Sequence, residues 1–289
     1  MQDLTDQKLT FLVNKAEAIR ESIITMLVEA GSGHTAGPLG MADVFAILYF
    51  HIMRHDPSRP SWVDRDRLVL SNGHICPVLY ATMAHAGYFP VGELQTLRKF
   101  GSRLQGHPHR EFLSYLETSS GPLGSGLSQA VGMALADRLD NGRGSGKFFY
   151  CVLGDGELDE GQNWEAIMLA GKERLGNLIA IVDRNNIQID GYTEDVMPLE
   201  SLAEKWKSFG WHVEEVSGHS FTALHDAFLE SQAVFDKPSV IIARTIPGRG
   251  VKEFEYDYHW HGKAPNKDEA KIALEELRTL KGKIKSEHK

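Results

Sequence analysis

Only two cysteines, Cys76 and Cys151, occur in 289 residues, and Cys151 lies inside an apolar run. A disulfide framework is therefore not indicated, and two reduced packing thiols are expected. Positive charge is the minority, with 31 Lys and Arg against 39 Asp and Glu for a net charge of −8. No basic stripe interleaved with aromatics is present, so no nucleic-acid partner is expected. No apolar run reaches membrane-spanning length, so no membrane contact is expected either. The N-terminus carries Asp3 and Asp6 and has no basic region ahead of an uninterrupted apolar stretch, which argues against a secretory signal. A cytoplasmic location follows by default. Internal repeats, long low-complexity linkers and composition breaks are missing too, so a chain that is 42% hydrophobic is expected to form one large α/β domain.

Short β-type runs recur at Arg67 to Ser71, Lys147 to Leu153, Asn177 to Asp183, Trp211 to Val216 and Pro238 to Arg244. Longer helical patterns separate them, which predicts a mostly parallel sheet with helices on both faces. Leu9, Leu12, Val13, Ala16, Ile19, Ile23 and Leu27 trace one face of a long amphipathic helix. Met41, Val44, Phe45 and Leu48 mark a second helix, and Leu202, Trp206 and Phe209 another. The expected domain spans residues 1–280, with a charged helix from Lys267 to Leu280 and a solvated basic tail over 281–289.

Gly154-Asp155-Gly156 and Asn185-Asn186 each stand where an apolar run ends. Trp164, Ile167, Met168 and Gly171 recur at helical spacing between them, so the two runs are parallel strands of one βαβ unit. That unit brings Asp155 and Asn185 together at the carboxyl ends of strands, where open α/β sheets bind ligands. A carboxylate, an amide oxygen and one backbone carbonyl are hard ligands suited to Mg²⁺ or Ca²⁺ carrying a diphosphate. Read alone, GDG is only a turn and Asn-Asn only a strand exit. The pairing of the two at neighbouring strand ends favours the metal reading.

Thirteen histidines are present, and His34, His74, His107 and His261 sit beside glycines in loops. Their strings are GSGHTAGPLG, SNGH, GHP and WHGKAP; SSGPLGSG, GDGELDEG, NNIQIDG and TIPGRGV lie between them. In this order the motifs resemble those of transketolases along nearly the whole chain, and the GDG and asparagine pair resemble the thiamine diphosphate signature. The resemblance implies the diphosphate-binding (PP-domain) fold of that family, with thiamine diphosphate as cofactor. It implies a metal held by Asp155, Asn185 and the Ile187 carbonyl, with Gly154 and Gly156 in the cofactor site. It further implies His74 and His261 at the diphosphate, Gly121 and Leu123 lining the cofactor, and Ile189 against its thiazolium region. Glu160 would be a subunit-contact glutamate that communicates with the cofactor. His107 would bind the donor's terminal hydroxyl, while His34 and His261 would move protons at the donor hydroxyl whose deprotonation drives carbon–carbon cleavage, a task that suits imidazole.

Three positions depart from the family pattern: Thr35, His109 and His259. They put acceptor preference in doubt more than cofactor binding. In transketolases the activating glutamate and the phosphate-gripping arginines belong to a second, pyrimidine-binding domain, which would follow Ala264-Pro265-Asn266. The expectation is therefore the N-terminal subunit of a split transketolase. It would pair with a separate C-terminal subunit, as a heterotetramer, on sugar or sugar-phosphate substrates of the pentose phosphate type. Two alternatives stand beside it: a cofactor-binding subunit of a 2-oxo acid dehydrogenase, and a non-catalytic cofactor-binding or regulatory homologue. The four histidines and WHGKAP argue against the first, and the intact Asp155, Asn185 and histidines against the second.

Overall fold

The computed structural model describes residues 3–287, with side chains as far as residue 279. The expected tail at 281–289 therefore lies, in its side chains and last two residues, outside the described residues. Helix α10 (Lys267–Glu287) carries the backbone through the rest. Seven strands form among the described residues: β1 (Arg67–Leu70), β2 (Phe149–Gly154), β3 (Leu178–Arg184), β4 (Ile187–Gln188), β5 (Gly191–Tyr192), β6 (His212–Ser217) and β7 (Ser239–Arg244). Five of them make a parallel sheet in the order β1-β2-β3-β7-β6, and β4 and β5 make a small antiparallel hairpin.

Every residue of β2 and β3 is buried, which is what continuous apolar runs covered on both faces require. Successive side chains go to opposite faces, so Tyr150, Val152, Ile179, Ile181, Ile241 and Ala243 join one core. Phe149, Cys151, Leu153, Leu178, Ala180, Val182, Val240 and Ile242 join the other. The first core is covered by α1 (Asp6–Ala30), α2 (Ala36–Gly40), α3 (Ala42–Ile47), α4 (Cys76–Ala86), α9 (Phe221–Ala233) and α10. The second is covered by α5 (Ser125–Asn141), α6 (Gly161–Glu173) and α8 (Leu202–Ser208). A short α7 (Thr193–Val196) follows the hairpin. Both cysteines are free and buried.

Two helix faces are buried unevenly. In α6 the buried face is Asn163, Ala166, Ile167 and Ala170, while Met168 is exposed. The stripe is displaced because small residues, not the large Met168, meet the sheet. In α1 the buried set runs from Leu12 to Leu27, and Leu9 and Val13 are only partly covered. The register that matters for the site is Gly154 opposite Asp183 and Asp183 opposite Ala243. Strands β2, β3 and β7 thus end level, and the loops leaving them share one edge.

Candidate functional site

At that edge Asp155 is 1% exposed. Its Oδ2 accepts from Asn186 N at 2.7 Å and Arg184 Nη1 at 3.1 Å, whereas Oδ1 accepts only from Gly156 N at 2.8 Å. Asn185 Nδ2 donates to Asp183 Oδ2 at 2.9 Å, and Asn185 Oδ1 accepts from Ile187 N at 3.0 Å. Thr245 donates to the other Asp183 oxygen. Burial pushes Asp155 up to about 6 despite the neighbouring Arg184 charge. Burial likewise pushes Asp183 up to about 7, and the Asp155 carboxylate adds to the rise. Two acids buried this close lack full compensation, and a cation would supply it.

Glu157, a residue of the GDGELDEG string with no role assigned from sequence, ties three loops together. One carboxylate oxygen accepts from Ser71 and from Gly124 N at 2.7 Å, and the other from Gly154 N at 2.9 Å. The SNGH, SSGPLGSG and GDG segments meet on this one buried side chain. Glycine is needed where two of them touch: a Cβ at Gly126 would lie 2.5 Å from the Ser71 side chain. Gly121 is different, since nothing approaches within 4 Å of its Cβ position, and its space opens into the cleft.

Opposite the carboxylates stand three imidazoles. Ring centroids lie 4.8 Å apart for His34 and His74, 5.5 Å for His34 and His261, and 5.1 Å for His74 and His261. Nδ1 of His34 and of His261 is buried without a hydrogen-bond partner. Burial holds His34 down to about 4, with His261 adding to the effect, and holds His261 down to about 4 as well. His74 is lowered by burial and then by His261, and His107 by partial burial and then by the Arg98 guanidinium. The His34 and His261 loops are tied by Thr35, whose hydroxyl donates to the Lys263 carbonyl at 2.5 Å. A residue without a side-chain hydroxyl could not make this bond.

The cleft between the two sides measures about 260 Å³. Its lining includes His34, His74, His107, Gly121, Leu123, Gly154, Asp155, Gly156, Asn185, Ile187, Ile189 and His261, so the structure brings together twelve of the thirteen residues singled out in the sequence. Glu160 is the exception: it is exposed, precedes α6 as its cap, and does not line the cleft. Asn72, Glu157, Asp183 and Gln188 also line it; three of them lie inside the SNGH, GDGELDEG and NNIQIDG strings, but none was assigned a role from sequence. Of the three departures from the family pattern, only Thr35 touches the site. His109 packs on Phe112, and His259 is held by Asp257 at 2.7 Å on the surface. Chemically, the cleft offers hard oxygen donors on one wall, neutral imidazoles on the other and an open glycine at the side. Those features fit a metal-bound diphosphate cofactor with a flat ring.

Comparison with known proteins agrees. The family model described as Transketolase, thiamine diphosphate binding domain, matches residues 13–281. A 6-deoxy-6-sulfo-D-fructose transketolase subunit from Clostridium sp. (strain MSTE9) is 42% identical over 266 residues, covering 92% of this chain and 96% of that one. An apulose-4-phosphate transketolase subunit from Actinobacillus succinogenes is 38% identical, with 92% and 96% covered. Transketolase 2 of Escherichia coli is 39% identical over 91% of this chain, which spans only 40% of that enzyme's length. Among solved structures, transketolase from Pichia stipitis in complex with sedoheptulose-7-phosphate superposes with a TM-score of 0.87 at 36% identity. That match covers 92% of this chain and 40% of the other.

Proposed function

The chain belongs to the transketolase family, and from that premise we propose that it is the N-terminal subunit of a split transketolase. In this reading it moves a two-carbon ketol unit from a ketose to an aldose once a separate pyrimidine-binding subunit completes the site. The observation that carries the proposal is the cleft in which three imidazoles face Asp155 and Asn185. At about 260 Å³ it falls just below the roughly 300–1,000 Å³ usual for a small-molecule site. A second wall supplied by a partner would close it.

Thiamine diphosphate, when bound, supplies the carbanion chemistry of carbon–carbon cleavage. The chain's own residues hold it and manage protons. Asp155 Oδ1, Asn185 and the Ile187 carbonyl would bind Mg²⁺, or Ca²⁺ in its place, and His74 and His261 the diphosphate. Gly154, Gly156, Gly121, Leu123 and Ile189 would shape the cofactor cleft, and Glu160, outside it, would meet the partner subunit. His107 at the rim would hold the donor's terminal hydroxyl. His34 and His261 start neutral, as proton acceptors, and gain basicity from any anion bound beside them. Each can then take the proton from the donor hydroxyl and return it.

Relatives are named for a sulfonated and a phosphorylated ketose, so the donor proposed here is a ketose with a terminal anion. Twofold pairing of the two-subunit unit would give a heterotetramer. The test is an assay of the purified chain with thiamine diphosphate, Mg²⁺, a ketose phosphate or sulfonate and an aldose phosphate, repeated with the candidate partner. Transfer only with the partner is expected. Robust transfer by the chain alone would refute the split reading, and no transfer with any cognate partner would refute the catalytic one.

A further inference from the structure

Arg184, the last residue of β3, is almost fully buried, with its side chain 1% exposed. Its guanidinium stands between two kinds of carboxylate. On the inner side Nη1 donates to Asp155 Oδ2 at 3.1 Å and to Thr193 Oγ1 at 2.9 Å. On the outer side Nη2 donates to Glu194 Oε1 at 2.6 Å and Glu200 Oε1 at 3.0 Å. The two glutamates are about two-fifths exposed and lie outside the cleft lining. They also hold their own segment, since Leu199 N donates to Glu194 and Leu202 N to Glu200.

The consequence for Asp155 is geometric. With Arg184 and Asn186 N both on Oδ2, that oxygen is saturated, while Oδ1, bonded once, keeps a lone pair for a cation. The planar guanidinium reaches Asp155 through Nη1 and the two glutamates through Nη2, a span that a single ammonium does not reproduce. Arg184 also brings a positive charge beside a cation site, which by itself would weaken metal binding. Glu194 and Glu200 offset that charge from behind.

We propose that Arg184 is the positioning residue of the metal-binding carboxylate, and that Glu194 and Glu200, acting through it, set the affinity of the site for its divalent ion. The inference rests on the reading of Asp155 as a metal ligand. Partners behind a ligand typically change metal affinity about 10- to 100-fold when removed.

The test uses the chain assembled with thiamine diphosphate and its partner subunit. Mg²⁺ is titrated by calorimetry, and Mn²⁺ uptake is followed by its spin-resonance signal. Arg184→Lys keeps the charge but cannot bridge Asp155 and the two glutamates at once, and should weaken metal affinity about 10-fold or more. Because a buried arginine can be needed for folding, Glu194→Gln/Glu200→Gln provides a second, surface-accessible variant. It should weaken affinity several-fold, more so at low ionic strength, as expected for half-exposed charges. In turnover, the apparent constant for Mg²⁺ should rise while kcat at saturating Mg²⁺ holds, a split that a merely structural role would not produce. Wild-type metal affinity in Glu194→Gln/Glu200→Gln would overturn the proposal while leaving the metal reading of Asp155 standing. A wild-type complex that takes up no metal with its cofactor would defeat both.

Discussion

Two groups of histidines occupy this molecule, and their bonding differs. In the layer built by α1, α3 and the loops around them, His55 uses both ring nitrogens, on Tyr88 Oη at 3.0 Å and the Tyr49 carbonyl at 2.7 Å. His219 pairs with Asp43 at 2.8 Å through Nδ1 and accepts from Ile246 N at 2.8 Å through Nε2. His34 and His261, at the strand ends, each leave Nδ1 buried and unpartnered. An unpartnered nitrogen alone does not mark a site, because His51 and His225 also carry one each, away from the strand ends. The distinguishing feature is convergence: three rings within 5.5 Å, facing two buried carboxylates. His55 and His219 have spent their hydrogen-bonding capacity on the protein, whereas His34 and His261 keep an unpartnered nitrogen in the cleft.

The largest effect should come from the carboxylate wall. Asp155→Ala removes the charged donor with a spare lone pair, and metal-dependent binding of thiamine diphosphate should be lost. Calorimetry on the assembled protein reads this directly, and unchanged cofactor affinity would remove Asp155 from the metal site. On the imidazole wall, His34→Ala should lower turnover roughly 10²- to 10⁴-fold, the range for a general acid or base. Its melting temperature should not fall, because the ring makes no protein hydrogen bond through its buried Nδ1. Full ketol-transfer activity in that variant would make His34 another packing residue.

His219→Ala supplies the opposite half of the comparison. It strips one hydrogen bond from Asp43, which also holds Arg20 through two bonds at 3.1 and 2.5 Å. It leaves the Ile246 amide without its acceptor. The cost of such orphaned buried groups is about 1–3 kcal/mol, visible as a lower midpoint in denaturant, while turnover per folded molecule stays as in the wild type. A variant of wild-type stability would break the distinction between the two groups.

How much of this could be read in advance follows the physics of each part. The central strands β2, β3 and β7 were legible because buried parallel strands are continuous apolar runs, and the boundaries of β2 and β3 fell close to those expected. Asp155 and Asn185 were legible because a polar residue directly after such a run stands at a strand end, and the cleft histidines because each sits beside glycine in the sequence. Glu157 and Arg184 were not. Each is an ordinary charged residue in sequence, and its importance comes from neighbours far along the chain: Ser71 and Gly124 for one, Thr193 to Glu200 for the other. The spacing of Trp164, Ile167, Met168 and Gly171 located the crossover helix α6 but not its buried face, which is built of asparagine, alanine and isoleucine while Met168 is exposed. Glu160, expected to contact a partner subunit, stands exposed outside the cleft.

The smallest expected effect concerns acid stability, and it separates the two walls by sign. His34 and His261 fall from an ordinary 6.5 to about 4 in the folded chain. Between those values the unfolded chain binds protons that the native one refuses, so their contribution weakens as pH drops from about 6.5 toward 4. Asp155 and Asp183, raised to about 6 and about 7, act in the other direction. The native protein holds their protons, and that contribution is lost as pH rises through the raised values. A pH scan of the unliganded wild type therefore shows partial cancellation. The variant His34→Ala/His261→Ala removes one arm and keeps the other. Its stability relative to wild type should improve as pH falls from 7 to 6, by on the order of 1 kcal/mol per imidazole at pH 6. Denaturant midpoints at matched ionic strength measure the difference. If that difference stays flat across the interval, the cleft rings titrate like any exposed histidine, and burial is not what sets them apart from the packing group.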